Sequence, residues 1–194
     1  MPDLDLRPAT QRMAGILAGV PDDALDGPTP CEGMTLGQLI GHVDGFAQVF
    51  TLSARKDLGP MTATPPSPDD ADLEPGWQQR AADHLAELGE AWQADDAWQG
   101  MTQAGGVDLP GSVAGRVVLD ELVVHGWDVA RATGQPYNPD EAYLREVEAT
   151  IEQLRDGNTG EVPGLFGPTV AVPNGASALE RVLALTGRDA SWTP

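Results

Sequence analysis

The sequence predicts an all-α protein, an antiparallel helical bundle with a short helical and loop extension at its C-terminal end. Apolar residues recur at helical spacing in four long segments and again in two later ones. Strand signals are few and short. Hydrophobic residues make up 41% of 194, enough for one folded domain with a sizeable core.

The first helix runs from Leu4 to Val20, with Leu4, Leu6, Ala9, Met13, Ile16, Leu17 and Val20 on one side. Gly19 and Pro21 end it, and the Pro-, Gly- and Asp-rich stretch to Met34 is a loop. Thr35 is a good N-cap with Gln38 three residues on, so a second helix follows to about Ala54. Its stripe is Leu36, Leu39, Ile40, Val43, Phe46, Ala47 and Phe50, with His42 at one margin. Gly37, Gly41 and Gly45 each weaken that helix by roughly 1 kcal/mol relative to Ala. A close-packed neighbour is the expected reason for them.

Lys56 to Pro75 is a proline-rich surface connector. A third helix spans Trp77 to Asp95, buried through Trp77, Ala81, Leu85, Leu88 and Trp92. His84 lies at its margin and reads as a surface residue, not a ligand. Gly105-Gly106 suggests a small hairpin within Ala97–Leu109. Ser112 to Gly134 is the central helix, followed by one over Asn138–Asp156 with Pro139 in its first turn. A Gly- and Pro-rich loop leads to a closing helix over Ser177–Thr186.

The chemistry concentrates on the central helix. Glu121 and His125 are four residues apart, one turn above the other, among Val117, Val118, Leu122, Val124 and Val129. A carboxylate and an imidazole on an apolar surface need compensation, and a divalent metal would provide it. His42 is the other histidine in a comparable setting. The central expectation is that His42, Glu121 and His125 meet inside the bundle and bind one metal ion. Such donors suit zinc, nickel or iron(II) better than calcium or magnesium, and three protein ligands leave a position open, as in catalytic sites. Each residue also has a duller reading. Glu121 and His125 fit a plain hydrogen-bonded pair at the surface, and His42 a satisfied core histidine. Asp128 is either an acceptor behind His125 or a solvated or capping carboxylate near the helix end. Trp127 reads as packing. Cys31 is a fourth ligand, a reactive thiol or a small buried loop residue.

Thirty acids against 11 bases give a net charge of -19. That argues against nucleic acid and against an anionic membrane surface. The single cysteine allows no internal disulfide. With no signal-peptide pattern and no long apolar run, the chain reads as soluble and cytoplasmic.

Two segments, TPCEGMTLGQLIGHVDGF and DELVVHGWDVARATGQP, resemble hallmark motifs of the mycothiol-dependent maleylpyruvate isomerase N-terminal-domain family, within the DinB-like superfamily of metalloenzymes. The tail, FGPTVAVPNGASALERVLALTGRDASW, resembles the end of a subgroup known only as metal-binding proteins. The resemblance implies a DinB-like four-helix bundle over 1–137, with 138–194 packed on it as an extension of one domain. Its metal site would fall on His42, Glu121 and His125. Met34 departs from the tryptophan usual before the helix cap, an expected change of packing near the loop. The resemblance implies a metal-dependent transferase or isomerase using mycothiol or a similar small thiol on an electrophilic substrate. The alternative is a non-catalytic bundle that binds a metal or small ligand. The isomerase is expected to differ in its C-terminal domain, so its substrate is not carried over. Apolar stripes on the later helices would permit a homodimer.

Overall fold

A computed structural model describes residues 4–65, 73–162 and 165–194. Four helices form the bundle: α1 (Arg7–Ala18), α2 (Leu36–Arg55), α3 (Trp77–Ala91) and α4 (Gly111–Ala132). The contacts run in a closed ring, α1 on α3, α3 on α2, α2 on α4 and α4 on α1. Each helix turns its apolar stripe inward, and Leu17, Leu39, Leu85 and Leu119 are wholly buried where those stripes meet. No helix among the described residues is long and apolar enough to cross a membrane.

Local chemistry fixes the helix ends. Thr35 Oγ1 accepts from the Gln38 N–H while Gln38 Oε1 accepts from the Thr35 N–H, the reciprocal cap expected for α2. Between α3 and α4, β1 (Met101–Ala104) pairs antiparallel with β2 (Val107–Pro110). Gly105 and Gly106 make the turn, both at positive φ, which a two-residue hairpin requires. Gly134, also left-handed, follows the end of α4.

Two details refine the expectation. A Cβ on Gly37 would sit 3.3 Å from Leu25 O, so the close-packed neighbour expected there is the preceding loop. The helix α5 (Glu141–Arg155) begins after Pro139, because the Asp140 side chain accepts from the Ala142 N–H and caps it. The connector Lys56–Pro75 lies partly outside the described residues.

Beyond the ring, α5 packs on α4 and α6 (Ala178–Leu185) packs on α5. Ser177 and Glu180 cap α6 reciprocally. Arg155, buried at the end of α5, binds the loop back onto these helices. Its Nε donates to Leu185 O at 2.6 Å, its Nη1 to Asn158 O and Gly160 O, and its Nη2 to Gly167 O. The guanidinium also lies over the Phe166 ring. Arg131, in the last turn of α4, donates to Trp192 O at 2.6 Å and ties down the far end of the tail. The C-terminal segment is therefore held against α4, where it forms one wall of a cleft.

Candidate metal centre

The cleft lies between α2, α4, the loop before α2 and the C-terminal segment, with a volume of about 630 Å³. His42, Glu121 and His125 line it together. His42 Nε2 is 3.2 Å from Glu121 Oε2, and His125 Nε2 is 3.0 Å from the same oxygen. The two imidazole rings meet edge to face at 4.9 Å between centroids. One donor atom from each of the three lies within 4.8 Å of the others. Donor separations near 3 Å are those given by metal–ligand bonds of about 2.1 Å meeting at roughly right angles. Two imidazoles and a carboxylate on one side of an open cleft fit a divalent transition ion.

The helical period explains the pair on α4, and the α2–α4 contact brings in His42. His42 and Glu121 remain partly accessible, with side chains 20% and 23% exposed, so the donors face the cleft. His125 is buried.

Behind His125, its Nδ1 lies 3.0 Å from Asp128 Oδ2. Asp128 is fully buried, which overturns its reading as a solvated or capping carboxylate. Arg188 Nη2 donates to the same Asp128 oxygen at 3.1 Å and approaches Cys31 Sγ at 3.5 Å. A carboxylate behind a ligating imidazole fixes the ring's orientation and raises its basicity. Here the carboxylate is itself anchored by a guanidinium from the tail.

Cys31, His125 and Asp128 also offer three donors within 4.8 Å. The Arg188 guanidinium already stands against two of them, so that group has its cation. Cys31 is half-buried, and burial pushes its thiol up. Met34 lines the cleft, which adds a role to the packing change expected there. His84 is half-buried, with its Nδ1 2.7 Å from Asp44 Oδ1, and belongs to no donor group. Trp127 is buried, as packing requires.

Burial works against charge throughout the cluster, yet the hydrogen bonds win. Burial opposes the Glu121 carboxylate, but bonds from His125 and His42 hold it well below the usual carboxylate range. Burial likewise opposes a charged His125, while Asp128 and Glu121 raise it to about 10. Without an ion, the proton on His125 does part of an ion's work. Asp120 is the exception. Burial and the adjacent Glu121 charge push its carboxyl up to about 7.

Arg188 and Asp120 were missed from sequence. Arg188 stands just past the closing helix, where nothing local says what it will meet. Asp120 carried a usable signal, an acid beside Val117, Val118 and Leu119 on a helix otherwise destined for the core.

The fold is shared with solved proteins. The crystal structure of the mycothiol-dependent maleylpyruvate isomerase matches with a TM-score of 0.67 at 20% identity, over 95% of this chain and 87% of that one. A histidine-to-alanine mutant of that isomerase matches with a TM-score of 0.67 at 19% identity, over 94% and 86%. The likeness therefore continues past Asn138 into the tail. A different C-terminal domain was expected of the isomerase, but at the level of fold the tail follows it, because α5 and α6 continue the packing begun on α4. An uncharacterized protein of Mycobacterium tuberculosis, in two strains, is 30% identical over 164 residues, covering 82% of this chain and 79% of its own length. The family model for the mycothiol maleylpyruvate isomerase N-terminal domain matches residues 6–130, a span that includes the first motif, the second as far as Ala130, and all three histidines. The family expected from those motifs is the chain's own: it belongs to the mycothiol maleylpyruvate isomerase N-terminal-domain family.

Proposed function

We propose that the protein is a metal-dependent enzyme that uses mycothiol or a similar small thiol either to isomerise an electrophilic substrate or to join the thiol's sulfur to it. His42, Glu121 and His125 would hold one divalent ion, zinc first, with nickel or iron(II) as the other ions this donor set suits. The observation that carries the reading is the convergence of these three donors, from two helices, on the floor of an open cleft. When bound, the ion would supply Lewis acidity, lowering the pKa of a thiol so that it is presented as thiolate.

The chain's own residues supply the rest. Asp128 accepts from His125 Nδ1 and so directs Nε2 to the cleft. Arg188 neutralises Asp128 and holds that geometry. Val124, Val162, Leu165 and Phe166 give the cleft apolar surface. Such surface suits the uncharged part of an organic substrate and excludes water from a reactive sulfur.

The test has two stages. Metal analysis of purified protein should find one tightly held ion per chain, absent from His42→Ala. Metal-loaded protein is then incubated with mycothiol and a panel of electrophiles, with maleylpyruvate among them. Thiol consumption reports transfer, and substrate conversion at constant thiol reports isomerisation. A protein that retains no ion overturns the metal reading. Thiol binding without turnover of any electrophile leaves the non-catalytic binder in its place.

A further inference from the structure

We infer that Asp120 anchors the non-reacting part of the thiol, accepting a hydrogen bond from one of its hydroxyl or amide N–H groups. This rests on the thiol reading above and adds a residue that determines which thiol fits.

Asp120 lines the cleft beside Glu121 and Val124. It is 6% exposed, and its Oδ1 is out of contact with solvent and has no hydrogen-bond partner among the described residues. Folded chains rarely leave a buried carboxyl oxygen unpaired, because nothing replaces the water it lost. The basic groups near it make their hydrogen bonds to other partners, and the Arg188 Nε, buried and unpaired, is not bonded to Asp120 either. His125 meets Glu121 through Nε2 and Asp128 through Nδ1. Arg188 places its Nη atoms on Thr186 O, Cys31 Sγ and Asp128. None of these bonds reaches Asp120.

Its position fits an external donor. Asp120 precedes Glu121 on α4, so the oxygen stands about one residue's rotation, roughly 100°, from the donor set. A molecule with its sulfur at the His42–Glu121–His125 group would extend along the cleft past Asp120 toward the tail. The acceptor there selects a thiol bearing a donor a few bonds from its sulfur. A bare alkanethiol offers nothing to it.

The test is calorimetric titration of zinc-loaded protein with three thiols: mycothiol, which carries hydroxyl and amide donors, 1-propanethiol, which carries none, and cysteamine, which carries an ammonium group. Zinc content is measured alongside. Asp120→Ala should weaken mycothiol binding by about tenfold or more, the value of one hydrogen bond to a buried carboxylate. The same change should leave propanethiol affinity and zinc content as they were. Asp120→Asn keeps an acceptor oxygen and should restore part of the loss. It also serves as the test variant if the alanine protein does not fold. Equal losses for mycothiol and propanethiol would mean that Asp120 acts through the ion site, and would overturn the inference. A loss confined to cysteamine would overturn it too, in favour of a cation site. Wild-type protein that binds none of the three sinks the thiol reading itself, and this assignment with it.

Discussion

The two halves of α4 bury their inward faces in opposite ways. The first half is small and apolar. Gly111, Ala114, Gly115 and Val118 are buried, Gly111 against Ala97 and Trp98 and Gly115 against Trp92 and Trp98, and the two indoles pack edge to face at 5.0 Å. The Trp98 Nε1 donates to Trp92 O at 2.9 Å, while the Trp92 Nε1 is the one buried polar atom of the pair without a partner among the described residues. The second half buries Asp120, His125 and Asp128 and carries Glu121 part-exposed to the cleft. There the helix needs groups from α2, from the tail and, in our proposal, from a bound ion. One helix thus joins an apolar region to one whose charges are balanced partly within the helix, His125 against Glu121 and Asp128, and partly by His42 and Arg188 from distant parts of the sequence. Stability should reside in the first region and ligand affinity in the second, and substitutions can separate the two.

The largest effect is expected from the donors. His125→Ala or His42→Ala should lower zinc affinity by more than about 100-fold, beyond the 10- to 100-fold typical of losing a group behind the ligands. Competition with a chromophoric chelator measures it. Asp128→Asn should fall within that smaller range, because the imidazole keeps a neighbour but loses its charge. A further consequence concerns protons. His125 holds its proton to about pH 10 in the ion-free chain, and a metal ligand must give that proton up. Zinc binding near pH 7.5 should therefore release about one proton from this residue. Titration in buffers of different ionisation enthalpy reads the number, and zinc uptake with no proton release would argue against ligation through His125.

The apolar half gives the contrasting result. A Cβ on Gly115 would stand 2.5 Å from Trp98 Cζ3 and 2.9 Å from Trp92 Cζ3, so one of two buried rings would have to shift. Gly115→Ala should destabilise the protein by about 1–3 kcal/mol, as overpacking does, visible as a lower urea midpoint. Zinc affinity of the folded protein should be unchanged. A Gly115→Ala protein that lost zinc affinity instead would show that the halves of α4 are coupled, and the comparison would fail.

The same division marks what the sequence made legible. The helical period places Glu121 and His125 on one face whatever surrounds them, so that pair could be read from spacing. His42 could be read because its stripe on α2 is strong and its neighbours are core residues. The reciprocal cap at Thr35 and the Gly105-Gly106 turn are local and were legible for the same reason. Asp128 was half-legible: its offset from His125 is fixed by the helix, but its burial depends on a tail sixty residues away. Arg188, Arg155 and Phe166 belong to that tail, whose path is set by tertiary hydrogen bonds to backbone carbonyls. No periodicity encodes those bonds. Gly37 was legible only in part: its spacing called for a close-packed neighbour, and the neighbour is the backbone of the preceding loop at Leu25.

The smallest effect separates stability from affinity at a single residue. The unfolded chain releases the Asp120 proton near 3.8, and the folded chain keeps it to about 7. Between those values the folded state binds more protons than the unfolded one, so stability falls as pH rises through that window. Asp120→Asn cannot ionise. In metal-free protein it should match wild type at pH 4 and exceed it at pH 8. The gain should be at least about 1 kcal/mol, because ionising the buried carboxyl costs the folded wild-type chain alone. Urea midpoints at the two pH values measure the difference. An equal effect at both would mean that the carboxylate finds a partner in the folded chain after all. A gain confined to high pH, together with weaker thiol binding, would show the ligand-free protein tolerating an unpaired charge that only the ligand can satisfy.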